Sequence, residues 1–583
     1  MLFGWDIFGS RMWRALTRTQ DIHTVIKEAH AEHEAGNGLK KVLTVRDLIS
    51  FGISSTLGSG IFVTVGTIAT RYAGPGLFLT FIVAGIGSLL SAYCYAEFAS
   101  RLPVSGQSYT YSYVSLGELV AFVTGWLGFF SYAVSTAAVS RGWANYLDCF
   151  LRGVGDLMGY PINIPRWLVN DPVGGWEGVL AFSGLAAGLN IVCTFLGCLG
   201  IHESTRVSFI LVVVNVLMMI GFSLYGSLEY GQMDNLEPLL PFGFAGIMKG
   251  SGLAFFCCIG WELVCTLSEE VKHPSRDLPR GIIGSLGLVT LLYCAVCVSL
   301  SLMVPYDQIS LEAPIADAFA YHGDSLGYLV IAFVCSTVCP PSVLTGIVGP
   351  PRILYKMAKD GLLYESFGSL NTHGAPIVAT VVGGVVAAIL GGVFEFDSLV
   401  SACSAVTLFM FVIVCLGVII VRINEVGTSS QATSSSRSMM GLSLVLFCVF
   451  SFSLCSELVE PREMSWLKES LAFANVVSAS VVIKLYQDIV SRPNSGTATP
   501  SNENLKDPLL KGTDAIVITS VSRRSKKEIF MCPWVPVLPL LAAWVDIFMM
   551  ASLGIPALGG LIIMLVCGLF VYFSYGIYNS KLG

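Results

Sequence analysis

Two stretches of this sequence set glycine, hydroxyl and acid residues inside otherwise apolar runs. The first is Ser54-Ser55-Thr56-Leu57-Gly58-Ser59-Gly60-Ile61-Phe62. The second is Phe255-Phe256-Cys257-Cys258-Ile259-Gly260-Trp261-Glu262. Paired glycines weaken a helix, and each new helix end leaves backbone groups without intrahelical partners. Within a bilayer such groups survive only where protein buries them or where they line a cavity. A half-helix N-terminus offers N–H groups and a positive dipole end to a carboxylate. Free carbonyls at the opposing end accept from an ammonium. The pair suits the two ends of an α-amino acid. Small residues also let helices pack closely, which is their usual membrane role.

The elements that must position these groups are membrane spans. The chain has 583 residues, 54% hydrophobic and only 12% charged, with a mean hydropathy of +0.73. Soluble domains carry about 25% charged residues, so this composition reads as a polytopic membrane protein. The net charge of -6 carries no nucleic-acid signature. Seventeen cysteines lie mostly in apolar runs and read as packing. No apolar leader precedes residue 45, so no cleavable signal peptide is expected. About 20 apolar residues cross the hydrocarbon. Fourteen runs qualify, near 46–70, 77–99, 119–142, 179–199, 206–228, 245–267, 281–304, 327–350, 376–394, 398–421, 439–457, 466–486, 533–553 and 558–578. Pro340 and Pro341 predict a kink in the eighth. The two glycine-broken runs are the first and the sixth. In transporters with a five-plus-five inverted repeat, the first helix of each repeat is broken and the ends form the site. That spacing favours a binding site over packing alone. Glu262 beside the second break is an intramembrane acid, and such groups are expensive and usually functional. A capping role for Glu262 stays equally open. Glu97 and Asp546 read as interfacial or capping acids.

Charge sets the expected orientation. With residue 1 in the cytoplasm and alternating spans, inside segments hold 26 of the 33 Lys and Arg, outside segments 7. The loop 305–326 has no Lys or Arg and four acids, so it is expected outside. Residues 5–18 alternate Trp5, Phe8, Met12 and Trp13 with Arg11, Arg14 and Arg18. This pattern suits a helix lying on the inner leaflet, or else a disordered tail. Residues 490–528 read as a disordered cytoplasmic linker. Within it, Asp507-Pro508-Leu509-Leu510 has the look of a dileucine sorting signal.

Several blocks carry a family resemblance. They are Ser55–Thr67 with Ala73-Gly74-Pro75, Leu90–Phe98 running to Ser108–Tyr113, Ser268-Glu269-Glu270-Val271-Lys272-His273-Pro274, Pro351–Leu363, and Tyr575-Gly576-Ile577-Tyr578-Asn579-Ser580. On these the chain resembles the cationic amino acid transporter family of the amino acid–polyamine–organocation superfamily. The resemblance implies an all-α membrane fold of about 14 helices: a five-plus-five inverted-repeat core, helices 1 and 6 broken, plus four extra helices. It implies alternating access to a central amino acid. Gly58, Ser59 and Gly60 would hold the carboxylate through backbone N–H groups. The carbonyls of Thr56, Phe256, Cys257 and Ile259 would receive the amino group, and Phe256 would cap the site as a gate.

The chain departs from the family pattern at three places. Phe130-Ser131-Tyr132 stands where the family usually has Leu-Glu-Tyr, so Ser131 replaces an acid in the side-chain pocket. His202 replaces a lysine whose cation stands in for the metal ion of sodium-coupled relatives. Glu262 replaces an aspartate. A histidine changes charge near neutral pH, which makes a proton a possible partner through His202. The expected function is transport of a cationic or neutral α-amino acid. A substrate-sensing receptor with the same site is the alternative. A membrane enzyme is disfavoured, since neither a zinc spacing nor a nucleophile constellation is evident. The implied partners are the amino acid, a proton and membrane lipid, with no cofactor and no nucleic acid. The expected divisions are a cytoplasmic segment 1–44, repeats at 45–228 and 245–422, and a linker 423–438. Helices 11 and 12 at 439–486, a loop 487–530 and a last helix pair with a short tail at 533–583 follow. The membrane is expected to be plasma or vacuolar/lysosomal, with both termini cytoplasmic.

Overall fold

A computed structural model describes residues 18–20, 24–25, 43–58, 60–104, 106–174, 179–199, 205–370, 376–427, 434–459, 465–490 and 530–581. The described chain is helical apart from one hairpin of two-residue strands, β1 (Asp171–Pro172) and β2 (Ala181–Phe182), paired antiparallel. The dileucine stretch, His202, Ser59 and nearly all of residues 5–18 lie outside the described residues.

The first helices in chain order are α1 (Val45–Thr56), α2 (Gly60–Ile68), α3 (Leu77–Arg101), α4 (Gln107–Ser115) and α5 (Glu118–Met158). Then come α6 (Gly184–Cys198), α7 (Thr205–Glu229), α8 (Gly243–Ala254), α9 (Pro274–Met303) and α10 (Pro314–Tyr321). The rest are α11 (Ser325–Val348), α12 (Pro351–Lys359), α13 (Ile377–Val393), α14 (Phe396–Gly427), α15 (Ser434–Val459), α16 (Ser465–Val490), α17 (Val537–Ser552) and α18 (Ile555–Val571). Each of the fourteen apolar runs contains helix. Ten helical segments among the described residues are long and apolar enough to cross a membrane, the first joining two runs as Gly60–Arg101. Three more, α6, α13 and α17, are apolar but shorter. The chain is a membrane protein.

Packing draws sequence-distant helices together. α3 lies along α9, α5 along α11, α6 along α13, and α14 against both α5 and α17. One large apolar core runs from Val25 to Leu561. α5 has 41 residues, about 60 Å at 1.5 Å per residue, well beyond a bilayer's hydrocarbon. Its second half holds the hairpin, because Arg141 donates to Asn170 Oδ1 at 3.1 Å and to the Ala181 carbonyl. α11 passes through Pro340 and Pro341 without ending. Pro340 has no N–H for the Ser336 carbonyl one turn back. Trp143 Nε1 takes that place at 3.0 Å, so a neighbouring helix satisfies the freed acceptor.

Candidate substrate site at two facing helix breaks

α1 is started by Thr44 and Asp47, which form a reciprocal capping box. It stops at Thr56. Its last turn folds hydroxyls back on the chain: Thr56 Oγ1 donates to the Gly52 carbonyl at 2.8 Å. Leu57 then leaves helical geometry with ψ 70. The Gly58 N–H turns back to the Thr56 carbonyl at 2.8 Å. α2 begins at Gly60, and its first N–H groups have no intrahelical acceptor.

The sixth run breaks differently. α8 ends at Ala254 and tightens into one 3₁₀ turn, Phe255–Cys258. Ile259 is extended, with φ -80 and ψ 148. Gly260 has φ +117, a region L side chains rarely enter. A second 3₁₀ stretch, Trp261–Glu270, follows.

The two breaks touch. A Cβ on Gly60 would lie 3.1 Å from the Phe256 ring and 3.3 Å from Cys257 Sγ. Thr64 Oγ1 and Cys257 Sγ are 3.1 Å apart. Ser55 Oγ donates to the Gly260 carbonyl at 2.9 Å. A Cβ on Gly260 would collide with the Ser55 carbonyl, so glycine is required there by space as well as by φ. The structure thus gathers Thr56, Gly58, Gly60, Phe256, Cys257, Ile259 and Glu262 around one locus. Thr56, Phe256, Cys257, Ile259 and Glu262 are all buried.

Not every expected donor and acceptor is free. The Thr56 carbonyl accepts from the Gly58 N–H and, at 3.0 Å, from the Tyr293 hydroxyl. Both of its lone pairs are engaged. The Phe256 carbonyl accepts the Ile259 N–H at 3.3 Å. Glu262 serves the break itself. Its Oε2 accepts the Gly260 N–H at 2.8 Å, and its Oε1 accepts the Tyr132 hydroxyl at 3.1 Å. Ser131 turns the other way, with its Oγ 2.7 Å from Thr407 Oγ1 and 3.6 Å from Cys403 Sγ on α14. Sequence reasoning missed Tyr132, Tyr293 and Ser55. Tyr132 stood beside a singled-out position and could have been weighed, whereas nothing around Tyr293 marks it.

Below Glu262 lies a cavity bounded by Tyr95, Gln107, Tyr109, Gly128, Tyr132 and Met410, among others. It offers about 20 Å³ to water centres, room for a water or so and not for an amino acid.

Of the other intramembrane acids, Glu97 is paired with arginines, whereas Asp546 has one hydroxyl donor and its Oδ1 is buried without a hydrogen-bond partner among the described residues. Glu97 accepts from Arg101 Nε at 2.8 Å, from Arg422 Nη2 at 2.7 Å and from the Cys532 N–H at 2.8 Å. It pins α3 and α14 to the segment entering α17. Asp546 accepts from Ser91 Oγ at 2.7 Å between α17 and α3.

Residues 43–482 match the amino acid permease family, and residues 530–580 match the C-terminus of that family. The chain belongs to the amino acid permease family. This permease is 32% identical to cationic amino acid transporter 3, mitochondrial, of Arabidopsis thaliana, over 95% of this chain and 93% of that one. It is 30% identical to cationic amino acid transporter 4 of Mus musculus, over 94% and 89%. It is also 33% identical to the branched-chain amino acid permease BcaP of Bacillus subtilis, over 76% and 94%. The resemblance to cationic amino acid transporters extends over nearly the whole chain, and the permease is an amino acid transporter.

Proposed function

We propose that this permease moves an α-amino acid by alternating access, with cargo held between the two helix breaks. The observation that carries this reading is the start of α2 at Gly60 facing the 3₁₀ turn Phe255–Cys258 and the non-helical Ile259 and Gly260. The cargo carboxylate lies against the N–H groups of Ser59 and Gly60, joined by that of Gly58 once it leaves the Thr56 carbonyl. The ammonium is received by the carbonyls of Phe256, Cys257 and Ile259. The Thr56 carbonyl joins them once the Tyr293 hydroxyl or the Gly58 N–H lets go. Phe256, packed on Gly60, is the gate. The fold is a five-plus-five inverted repeat with four added helices and fourteen crossings. Both termini are cytoplasmic and residues 305–326 lie on the other side, in a plasma or vacuolar/lysosomal membrane. Tags at residues 1 and 583 and within 305–326 test this, and a cytoplasmic 305–326 would overturn it.

Selectivity for a cationic side chain is weak. A desolvated lysine or arginine side chain needs an acceptor or an anion. Ser131 supplies only a hydroxyl, already paired with Thr407, and Glu262 is occupied by Gly260 and Tyr132. Relatives of similar identity are named for cationic and for branched-chain amino acids. Competition of labelled uptake by arginine, lysine, alanine and leucine is the test. Strong preference for the two cations would refute weak selectivity, and Ser131→Glu shifts preference towards cations if it holds.

Transport is proton-linked through His202. Its protonated ring supplies the cation that a lysine supplies in the family. A histidine has an ordinary pKa near 6.5, so uptake falls as pH rises from about 5.5 to 7.5. His202→Lys flattens the profile and keeps activity, because a lysine stays charged across that range. An unchanged profile in both His202→Lys and His202→Ala removes the coupling role.

A further inference from the structure

The C-terminal residues make a set of contacts that the substrate site does not use. After α18 the chain takes a wide turn at Tyr572–Gly576 and a short helical turn at Ile577–Asn579. The Tyr572 hydroxyl donates to Glu118 Oε1 at 2.9 Å. Ser580 Oγ donates to Glu118 Oε2 at 2.6 Å, and the Tyr113 hydroxyl reaches the same oxygen at 3.1 Å. Glu118 is fully buried and opens α5, where the helix N-terminus favours a negative charge. Farther along, the Lys581 N–H donates to the Asp360 carbonyl at 3.1 Å. The Tyr575 ring lies 4.3 Å from that of Tyr364, centroid to centroid. Gly361, at φ +83, leaves room for the Asn579 carbonyl where a side chain would stand.

These anchors belong to two separate parts of the chain. Tyr109 and Tyr113 lie on α4. Asp360, Gly361 and Tyr364 follow α12. The parts also bind each other, through Lys356 Nζ to Thr110 Oγ1 at 3.1 Å and the Tyr109 hydroxyl to Asp360 Oδ2 at 2.6 Å. Gln107, Ser108 and Tyr109 from one part, and Ile353 from the other, line the cavity below Glu262. The tail therefore fastens the floor of that cavity.

We propose that residues 572–581 are a latch on the floor of the cavity below Glu262, with Glu118 as its catch. Hydroxyl bonds to a carboxylate are stronger than neutral ones, and their loss leaves α4 and α12 held together, among the described residues, by the Lys356–Thr110 and Tyr109–Asp360 bonds alone. The floor opens to the basic end of the bundle only when the tail lifts. An anion placed at position 580, by substitution or by modification of the Ser580 hydroxyl, repels Glu118 and lifts it. The meaning of that opening rests on the alternating-access reading, but the latch can be read without flux.

The test uses the full chain with Gly128→Cys as reporter in inside-out vesicles. Gly128 borders the cavity, and a Cβ there meets its nearest neighbour, Met410 Sδ, at 3.6 Å. A membrane-impermeant maleimide is added, and labelling of the chain without the reporter is subtracted. Ser580→Ala raises the labelling rate about tenfold, equivalent to about 1.4 kcal/mol, near the low end for a bond to a charged group. Ser580→Asp raises it further. Ser580→Thr, which keeps the hydroxyl, labels like the parent. A stop at position 577 matches or exceeds Ser580→Asp. Should the shortened chain not reach the membrane, the single substitutions decide. Parent-like labelling in both Ser580→Ala and Ser580→Asp overturns the latch. Normal labelling shifts in a chain without uptake would instead sink the transport reading and leave the latch in place.

Discussion

The first and sixth helical runs are both broken, and they are broken in opposite ways. The first break is loose. A Cβ on Gly58 would have no neighbour within 4 Å, and the Thr56 carbonyl that the chain turns on is held by the Gly58 N–H and the Tyr293 hydroxyl. The second break is locked. Gly260 holds φ +117, its N–H is bound by Glu262, and its carbonyl accepts from Ser55. A locked strand facing a loose one is a fixed wall facing an adjustable one. The difference also says where the charge of Glu262 goes. It satisfies a backbone donor that the break would otherwise leave buried and unpaired, rather than waiting for a cationic cargo.

Substitutions at four positions break or sharpen this contrast. The largest effect is expected at Gly260. Gly260→Ala must enter a left-handed region and move the Ser55 main chain. The left-handed strain alone costs about 1–3 kcal/mol. Uptake and folded protein should both fall, read by transport and by thermal melting in detergent. A stable, active Gly260→Ala would show that the second break is not locked.

Gly60→Leu comes next. Its Cβ lies nearest the movable side chains of Phe256 and Cys257, so the protein should still reach the membrane while uptake is lost. Normal uptake would remove the site from this place. The third pair separates charge from hydrogen bonding. Glu262→Gln keeps an acceptor for the Gly260 N–H and should keep the fold. Glu262→Ala leaves that N–H buried without a partner, at about 1–3 kcal/mol, and should melt earlier. Equal melting of the two would deny the capping role. The smallest effect on the fold is expected at Gly58. Gly58→Ala should change stability by less than about 0.5 kcal/mol but raise KM, because a methyl stands where a carboxylate approaches. An unchanged KM would move the carboxylate away from Gly58.

Much of this molecule was legible without coordinates. Apolar runs of about 20 residues announce membrane helices because water is absent from the hydrocarbon and each span must satisfy its own backbone. All fourteen runs contain helix, though the first and sixth are interrupted and the fourth opens on a strand. Glycine makes a break cheap because its conformational freedom is a local property, and both breaks fall where Gly58, Gly60 and Gly260 stand, whereas Gly85, Gly128 and Gly383 sit inside continuous helices. The blocks near Gly58, Glu97 and Pro351 are local strings, so family membership was readable too.

Only the tertiary structure decided which side chains meet. Tyr293 caps the Thr56 carbonyl from 237 positions away. Glu97, read as an interfacial acid, is clasped by Arg422 from 325 positions away. Ser131 and Tyr132 are neighbours in sequence, yet one faces Thr407 and the other Glu262. Successive residues on a helix point about 100° apart, so one span presents different residues to different partners. Which partner each meets depends on how the helix is rotated in the bundle. That rotation is fixed by close packing among all the helices, and no single span's sequence records it.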